Sequence, residues 1–431
     1  MKSRFYSFSF LAVIYITAVR CLVPGTPIEN DDKAKRQANQ VLNIRKWAAV
    51  GDSYSAGIGA GRKLQDSGRC SRYDLSLPMQ LQAYRGMPSP KPQFEFLSCS
   101  GATAPQILEQ QVSALGNGYD MIVVSAGGND VGLSDILNRC IYQWLPGRDS
   151  DCQGQLDRTV ALIRGALPNN LAALAQALGP KLGPGGFVYW TGYAQFFDDS
   201  DPWCDRVTWS FWYNVEPAAQ KQYLTRARRT RMNDLTLAVN RVIRETVARA
   251  GPQFVYIDYD ADFGRMFGRY CEPGVREPDP NREDLLFFEW GTSGPGRRRG
   301  KRDDEPFQER SYVEEEARES SNDLAVRQVT GQQGLTTFED TIVNAVRAAK
   351  NENFELEVAL IDNSGPDPAY RGRSMLSRSD FVSDSILRVF HPQPGGYVVA
   401  LERLLCELTV RQATPAGAPS QCSDAPVPGN R

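Results

Sequence analysis

The sequence predicts a doubly wound α/β sandwich whose central sheet is mostly parallel and has about five strands. Five short runs of apolar residues are continuous rather than alternating, which is typical of strands buried on both faces of a parallel sheet. The runs are Trp47–Val50, Phe94–Leu97, Met121–Ala126, Phe187–Trp190 and Phe254–Ile257. Segments of helical spacing lie between them, and in such a sheet ligands bind at the carboxyl ends of the strands.

Three longer segments show apolar residues at helical spacing. In Leu156–Leu178, Pro168 either kinks the helix or starts a second one, because proline lacks the N–H that a helix interior needs. The segment Pro217–Ala250 is rich in alanine, leucine, arginine and valine. The third segment, Gly396–Val410, is amphipathic and predicts a C-terminal helix.

The composition is that of an ordinary folded protein without a strong charge. The chain has 431 residues, of which 41% are hydrophobic and 23% are charged, enough for a sizeable buried core. The formal net charge is -2, whereas a general nucleic-acid binder normally carries a strong basic excess. We therefore expect no nucleic-acid partner.

The N-terminus has the pattern of a secretory signal peptide. A short basic head precedes the mostly apolar stretch Phe5–Val19, which is shorter than the ~20 residues that span a bilayer. We assign residues 1–21 to the signal peptide and 22–41 to a propeptide or linker; the alternative is a signal anchor that is never cut. No later stretch reaches transmembrane length, so we expect a secreted protein without stable membrane insertion.

Two dibasic pairs are candidate sites for a kexin-type processing protease. Lys35-Arg36 precedes the predicted domain at 42–413, and Lys301-Arg302 lies in a charged insertion at 294–325. Blocks of like charge with few apolar residues do not bury, so we expect this insertion to be disordered. The alternative for both pairs is an uncut charged segment. The Pro-, Ala- and Ser-rich tail at 414–431 is expected to be loose.

The cysteines predict a disulfide framework rather than a metal site. One of the nine, Cys21, ends the predicted signal peptide, and the other eight form an even set in an exported chain. They show no CxxC spacing, which argues against a zinc cluster. Eight cysteines allow many pairings, and we expect sequence neighbours to pair: Cys70–Cys99, Cys140–Cys152, Cys204–Cys271 and Cys406–Cys422.

One histidine and one serine turn carry the predicted chemistry. His391 is the sole histidine of the chain, which disfavours catalytic zinc because such sites usually take two or three histidines. A serine nucleophile needs a base to take its proton and a tight turn that projects its hydroxyl. Ser53 directly follows the first predicted strand, where Gly51 permits a sharp turn. Ser55 is the competing nucleophile.

Neither serine fits the G-x-S-x-G elbow of α/β-hydrolases, since each lacks one of the two flanking glycines. The glycines that follow, Gly57, Gly59 and Gly61, do not match the dinucleotide fingerprint G-x-G-x-x-G. Both classes of fold are therefore disfavoured.

Two further turns at strand ends offer hydrogen-bond donors for an oxyanion. Ser100-Gly101-Ala-Thr103 follows the second predicted strand and presents the backbone N–H of Gly101. Gly127-Gly-Asn-Asp130 follows the third and presents the side-chain amide of Asn129. Because the carboxyl ends of neighbouring parallel strands meet at one edge of the sheet, these turns are expected to face the Ser53 turn.

Gly-Asp-Ser, Ser-Gly-Ala-Thr, Gly-Gly-Asn-Asp and a late His-Pro, in this order, resemble the four blocks of the SGNH (GDSL) hydrolases. The secreted, disulfide-containing lipase/esterase branch is the most similar, over 45–200 and 380–400. The resemblance implies a three-layer α/β/α flavodoxin-like sandwich. It also implies Ser53 as nucleophile, His391 as base, and the Ser53 N–H, Gly101 N–H and Asn129 amide as oxyanion hole, without a metal or organic cofactor.

The sequence departs from this family pattern at one position. Family members usually carry an aspartate three residues before the histidine, where it orients the imidazole, and here that residue is Arg388. The Arg388 backbone carbonyl is one candidate for the acceptor, which gives a Ser–His dyad. Asp384 or Asp380 is the second candidate, and a weakened or inactive protein is the third alternative. The Arg388 guanidinium itself is expected to be solvated.

The predicted function is that of a secreted ester hydrolase of the lipase or carboxylesterase type, acting on a small-molecule or lipid ester. The alternative is a non-catalytic or weakly active binding protein that keeps the SGNH fold. The absence of the orienting aspartate favours that alternative, whereas the joint presence of serine, glycine, asparagine and histidine favours the enzyme.

Overall fold

The computed structural model describes residues 42–143, 152–210, 221–289, 292, 388–413 and 422. The predicted signal peptide, the segment at 22–41, both dibasic pairs and the charged insertion lie outside these residues. So does the C-terminal tail except for Cys422.

Five strands form one parallel sheet in the order β2-β1-β3-β4-β5. Their bounds are β1 Lys46–Gly51, β2 Gln93–Phe96, β3 Tyr119–Ser125, β4 Leu182–Thr191 and β5 Phe254–Ile257. Each strand overlaps one of the predicted apolar runs, and β4 begins five residues before its run. The strand order is that of the flavodoxin-like fold, and the prediction of the fold class is confirmed.

Helices cover both faces of the sheet. The α-helices are α1 Ser53–Ala56, α2 Leu77–Ala83, α3 Ala104–Gln106, α4 Leu133–Ile136, α5 Cys152–Arg164, α6 Ala166–Leu178, α7 Arg226–Ala250, α8 Asp260–Arg265 and α9 Pro394–Ala413. Helices α5, α6 and α7 pack against one another, whereas α9 packs on α2, β5 and α8. The result is a three-layer α/β/α sandwich in which Trp47–Val50 and Met121–Val124 are fully buried.

A proline residue and a backbone pairing between two segments determine two of the helix boundaries. The predicted helix Leu156–Leu178 is divided at Gly165, and Pro168 lies in the first turn of α6, where no partner for a backbone N–H is required. The prediction that a helix runs from Pro217 is wrong for residues 221–225. That segment pairs with the chain before it, since Leu224 donates its N–H to the Val207 carbonyl, and α7 begins only after Thr225 caps it.

No helix in the described ranges is long and apolar enough to cross a bilayer.

The end of β1 lies in close backbone contact with β3. Gly51 pairs with Ser125 and has a φ of 146°, a region that residues with a Cβ rarely adopt. A Cβ at this position would lie 2.4 Å from the Ser125 carbonyl oxygen. Only glycine therefore lets β1 end against β3 and turn directly into the segment that carries Ser53.

We predict that Gly51→Ala lowers the free energy of unfolding by about 3 kcal/mol or more, because backbone strain and overpacking act together. The matched control is Gly118→Ala, where φ is 81° and no atom lies within 4 Å of the added Cβ. That variant meets only the conformational cost of about 1–2 kcal/mol. Urea unfolding measures both, and equal losses would contradict the steric argument.

Candidate active site

The first turn of the site places a serine hydroxyl at the end of β1. Asp52 caps α1 by accepting the Tyr54 N–H at 3.0 Å, and Ser53 is the first residue of that helix. The side chain of Ser53 is buried, with 9% of its surface exposed. A helix N-terminus leaves its first N–H groups without partners inside the helix, so the serine carries its own backbone donor.

His391 lies against this serine. Its Nε2 is 2.6 Å from Ser53 Oγ, and its Nδ1 is 3.1 Å from the Val389 carbonyl oxygen. A proton on Nδ1 donated to that carbonyl leaves Nε2 as the acceptor for the serine proton. This pair has the arrangement that activates a serine nucleophile, with the imidazole tautomer fixed by a backbone group.

Backbone carbonyls surround the Nδ1 side of the His391 ring. The Val389 carbonyl oxygen lies 3.1 Å from Nδ1. The Arg388 carbonyl, the expected acceptor, accepts the backbone N–H of His391 at 2.9 Å and closes a β-turn, and it also raises the pKa of His391. The expectation for the Arg388 side chain is wrong. Its guanidinium stacks on the Phe288 ring at 4.7 Å and donates to the Thr292 carbonyl instead of being solvated. Asp384 and Asp380 lie outside the described residues.

The turn before His391 requires a left-handed backbone. Phe390 has a φ of 65°. This left-handed conformation is unfavourable for a residue with a side chain, and it persists only where the surrounding structure holds it. The Tyr54 hydroxyl donates to the Phe390 carbonyl at 2.6 Å, and the Phe390 N–H donates to the Phe288 carbonyl at 2.9 Å. Aromatic rings surround its side chain at centroid distances of 4.9–6.2 Å: Tyr142, Phe196, Phe197, Trp209 and Tyr270.

Burial lowers the pKa of His391 to about 4, because the charged imidazolium is disfavoured away from water. The carbonyl groups of Val389 and Arg388 oppose this shift but do not cancel it. The imidazole is therefore neutral, and able to accept a proton, at any pH well above 4.

The second and third turns are joined beside the serine turn. The Asn129 side chain donates to the Ala102 carbonyl at 3.1 Å, and Asp130 accepts the Ala104 N–H at 2.9 Å. An amide group has two N–H donors, so Asn129 keeps one after this bond. Among the described residues, neither the Ser53 N–H nor the Gly101 N–H has a hydrogen-bond acceptor. Gly101 has a φ of 81°, which explains the need for glycine there.

The sequence did not indicate the network that joins these turns. The buried Asp52 carboxylate accepts the hydroxyls of Ser125 and Tyr193, each at 2.6 Å, besides the Tyr54 N–H. Burial raises the pKa of Asp52 to about 6, and the three donors oppose that shift. Ser125 faces Gly51 in the sheet register, but Tyr193 is distant in sequence and nothing in its local pattern marks it.

Ser55, the competing serine, is directed elsewhere. Its Oγ lies 2.7 Å from the Ser98 Oγ and it is buried. The contact to His391 belongs to Ser53.

Four disulfide bonds tie down the segments around the sheet. They are Cys70–Cys99, Cys140–Cys152, Cys204–Cys271 and Cys406–Cys422, which joins each cysteine to its neighbour in the series. The first holds the turn that contains Gly101, because Ser100 also donates its N–H to the Cys70 carbonyl at 3.0 Å.

Similar proteins include two lipases of Streptomyces. Lipase 1 of Streptomyces coelicolor is 31% identical over 194 residues, which are 45% of this chain and 66% of that protein. A lipase of Streptomyces rimosus is 32% identical over 157 residues, which are 36% of this chain and 55% of that protein. The alignments thus span between about half and two thirds of these relatives.

Two of the solved structures to which this chain is similar are also Streptomyces enzymes. Phospholipase A1 of Streptomyces albidoflavus aligns with 58% of this chain and 89% of its own, at 24% identity and a TM-score of 0.44. The extracellular lipase of Streptomyces rimosus aligns with 54% of this chain and 89% of its own, at 26% identity and a TM-score of 0.44.

The model of the GDSL-like Lipase/Acylhydrolase family matches residues 49–274, more than half of the chain. The match includes the turns of Ser53, Gly101 and Asn129. This protein therefore belongs to the GDSL-like lipase/acylhydrolase family.

Proposed function

We propose that this protein is a secreted serine ester hydrolase of the lipase or carboxylesterase type that forms an acyl-enzyme on Ser53. The observation that carries the proposal is the distance of 2.6 Å between Ser53 Oγ and His391 Nε2. Family membership and the lipases among its relatives support the same reaction class.

In the first half-reaction, Ser53 Oγ attacks the ester carbonyl carbon while His391 Nε2 takes the hydroxyl proton. The carbonyl oxygen becomes an oxyanion, for which the unpaired N–H groups of Ser53 and Gly101 and the Asn129 amide are the proposed donors. Collapse of this intermediate breaks the bond to the alcohol oxygen, which leaves with the proton from His391. The acyl group stays on Ser53.

In the second half-reaction, His391 removes a proton from water as the water oxygen attacks the acyl carbon. The same donors hold the second oxyanion. Its collapse breaks the bond to Ser53 Oγ, and the proton on His391 returns to the serine. The Val389 carbonyl is the proposed group that holds the imidazole in the required tautomer through both halves.

Secretion is proposed from the signal-like N-terminus together with the four disulfide bonds, since disulfides persist in oxidising compartments. The hydrolase domain is proposed to span 42–413. Processing by a kexin-type protease at Lys35-Arg36 and Lys301-Arg302 remains a proposal from the sequence.

An apolar cavity next to the third turn suits the acyl chain of the ester. It encloses about 40 Å³, roughly three times the ~10–15 Å³ that one water molecule requires. The wall-forming apolar side chains include Val131, Ile136, Met232, Leu235 and Val239. The threonine hydroxyls in its wall donate to backbone carbonyls, so its surface is hydrocarbon and favours an apolar ligand.

Three of the residues that line this cavity are connected to the turns that carry the reacting groups. Gly128 precedes Asn129 in the chain. The Tyr193 hydroxyl bonds Asp52, which precedes Ser53. The Phe196 ring packs on Phe390, which precedes His391, at a centroid distance of 4.9 Å. We therefore propose that an ester whose carbonyl lies at Ser53 extends its acyl chain into this space.

We predict that Ser53→Ala lowers kcat for a chromogenic ester by about a thousandfold or more, because the nucleophile is lost. Ser55→Ala is the matched control on the same short helix and keeps most of the activity. Turnover that survives in Ser53→Ala would remove Ser53 from its role. Absence of turnover by the folded native protein on esters of every chain length would favour the non-catalytic binding protein.

The acid limb of kcat/KM is expected at about pH 4, because burial lowers the pKa of His391 to about 4. The base works only when neutral, so activity is lost as the pH falls through that value. A pH–rate profile, with the enzyme returned to neutral pH to check that the loss is reversible, measures it. A limb at the ordinary histidine value of 6.5 would contradict a buried, neutral base.

Leu235→Trp is expected to lower kcat/KM for octanoate esters by about tenfold or more while acetate esters are still hydrolysed, because the indole fills the cavity. Leu237→Trp, on the exposed side of the same helix, is the matched control. A chain-length profile unchanged by Leu235→Trp would exclude the cavity as the acyl site but leave the ester hydrolase proposal intact.

A further inference from the structure

Tyr193 lies at the meeting point of two catalytic turns. Its hydroxyl donates to Asp52 Oδ2 at 2.6 Å and accepts the Gly128 N–H at 3.1 Å. The side chain is buried, with 5% of its surface exposed. One phenol oxygen thus bridges the turn that carries Ser53 and the turn that carries Asn129.

The Asp52 end of the bridge determines where the nucleophile lies. Asp52 caps α1, and its Oδ1 is occupied by the Tyr54 N–H and the Ser125 hydroxyl. Its Oδ2 is bound by the Tyr193 hydroxyl. Without the Tyr193 donor, the buried Asp52 carboxylate would lose a strong, charge-assisted hydrogen bond. The Asp52 side chain would then shift or bind a proton.

The Gly128 end acts on the oxyanion turn. Gly128 directly precedes Asn129, which begins a 3₁₀ turn. A Cβ added at Gly128 would lie 3.4 Å from the Tyr193 phenol group. The Gly128 N–H is half-buried beside this ring and has the phenol oxygen as its acceptor. Loss of the acceptor frees the backbone directly before the proposed oxyanion donor.

Tyr193 is itself held rigidly. The Asn240 side chain accepts the Tyr193 N–H at 2.8 Å and donates to its carbonyl at 2.7 Å. The phenol ring also packs edge-on against Tyr54 at a centroid distance of 4.9 Å, and Tyr54 donates to the Phe390 carbonyl next to His391. The hydroxyl is therefore pre-positioned by α7 and contacts the neighbours of the nucleophile and of the oxyanion donor, whereas the ring reaches the turn before His391 only through Tyr54.

We propose that Tyr193 is a positioning residue, whose hydroxyl fixes the distance between the Ser53 turn and the Asn129 turn by bonding both at once. The inference rests on the proposed ester hydrolysis. It assigns no contact between the Tyr193 hydroxyl and the reacting ester group, although the Tyr193 ring lies in the wall of the proposed acyl cavity. Its consequence is that the phenol acts on turnover through the geometry of the oxyanion site, not through substrate binding.

Tyr193→Phe tests the proposal, because it removes only the bridging oxygen. We expect kcat for a chromogenic ester to fall about tenfold to a hundredfold, the cost of a small misplacement of catalytic groups. KM should stay close to that of the native protein. The melting temperature should fall, because a buried hydrogen bond is lost, but the variant should remain folded at the assay temperature. Tyr189→Phe is the matched control, since Tyr189 is a buried tyrosine on β4 outside the catalytic turns.

Asp52→Asn gives a second test of the same bridge. Asparagine still caps a helix, but its amide presents N–H groups to the phenol, whose proton then lacks an acceptor. The kcat of the double variant, Asp52→Asn with Tyr193→Phe, should exceed the value expected if the two losses simply multiplied. The reason is that both substitutions break the same interaction. Losses that multiply independently would overturn the proposal.

A third measurement does not depend on activity. Amide hydrogen exchange at Gly128 should be faster in Tyr193→Phe than in Tyr189→Phe, because its N–H has lost its acceptor. If the native protein showed no ester turnover, the proposed function would be excluded. The exchange measurement would still test the bridge in that case. Unchanged exchange at Gly128, an unchanged kcat, or a loss confined to KM in the folded variant would each overturn the role of Tyr193.

Discussion

One buried carboxylate organises the catalytic edge of the sheet. Asp52 lies where β1 ends, and it accepts donors from its own turn, from the end of β3 and from the segment after β4. A charge in this position is tolerable only because each of its contacts is a hydrogen bond. Since strands β1, β3 and β4 are adjacent in the sheet, the same bonds that satisfy the charge fix the turns relative to one another.

The orientation of the His391 ring depends on a different set of contacts. A left-handed Phe390 costs about 1–2 kcal/mol, and an aromatic pair contributes about 0.5–1.5 kcal/mol. The several rings around Phe390, together with the Tyr54 hydroxyl, are sufficient to hold the strained turn. This turn brings the Val389 carbonyl to Nδ1, so among the described residues a backbone dipole lies where a triad has its carboxylate.

This replacement has an electrostatic consequence. A carbonyl fixes the tautomer but offers only a partial negative charge to the imidazolium, and burial then dominates the pKa of His391. The family match ends at residue 274, so the base lies beyond it and reaches Ser53 through tertiary contacts. The chain at 286–288 bonds the chain at 390–393, and α9 packs on α2 beside the serine turn.

The sequence by itself determined the class of fold and singled out Ser53 and His391 as the proposed reacting pair. Continuous apolar runs predict buried parallel strands, and a single histidine together with a serine at a strand end leaves little choice of base and nucleophile. The tertiary structure decided which acceptor faces Nδ1 and that Tyr193 joins two turns. It also decided that residues 221–225 pair with the chain before them instead of extending α7. Periodicity records burial along one segment, whereas these contacts join residues distant in sequence whose local patterns are unremarkable. They depend on backbone direction at a few positions, such as the left-handed Phe390, which no side-chain pattern encodes.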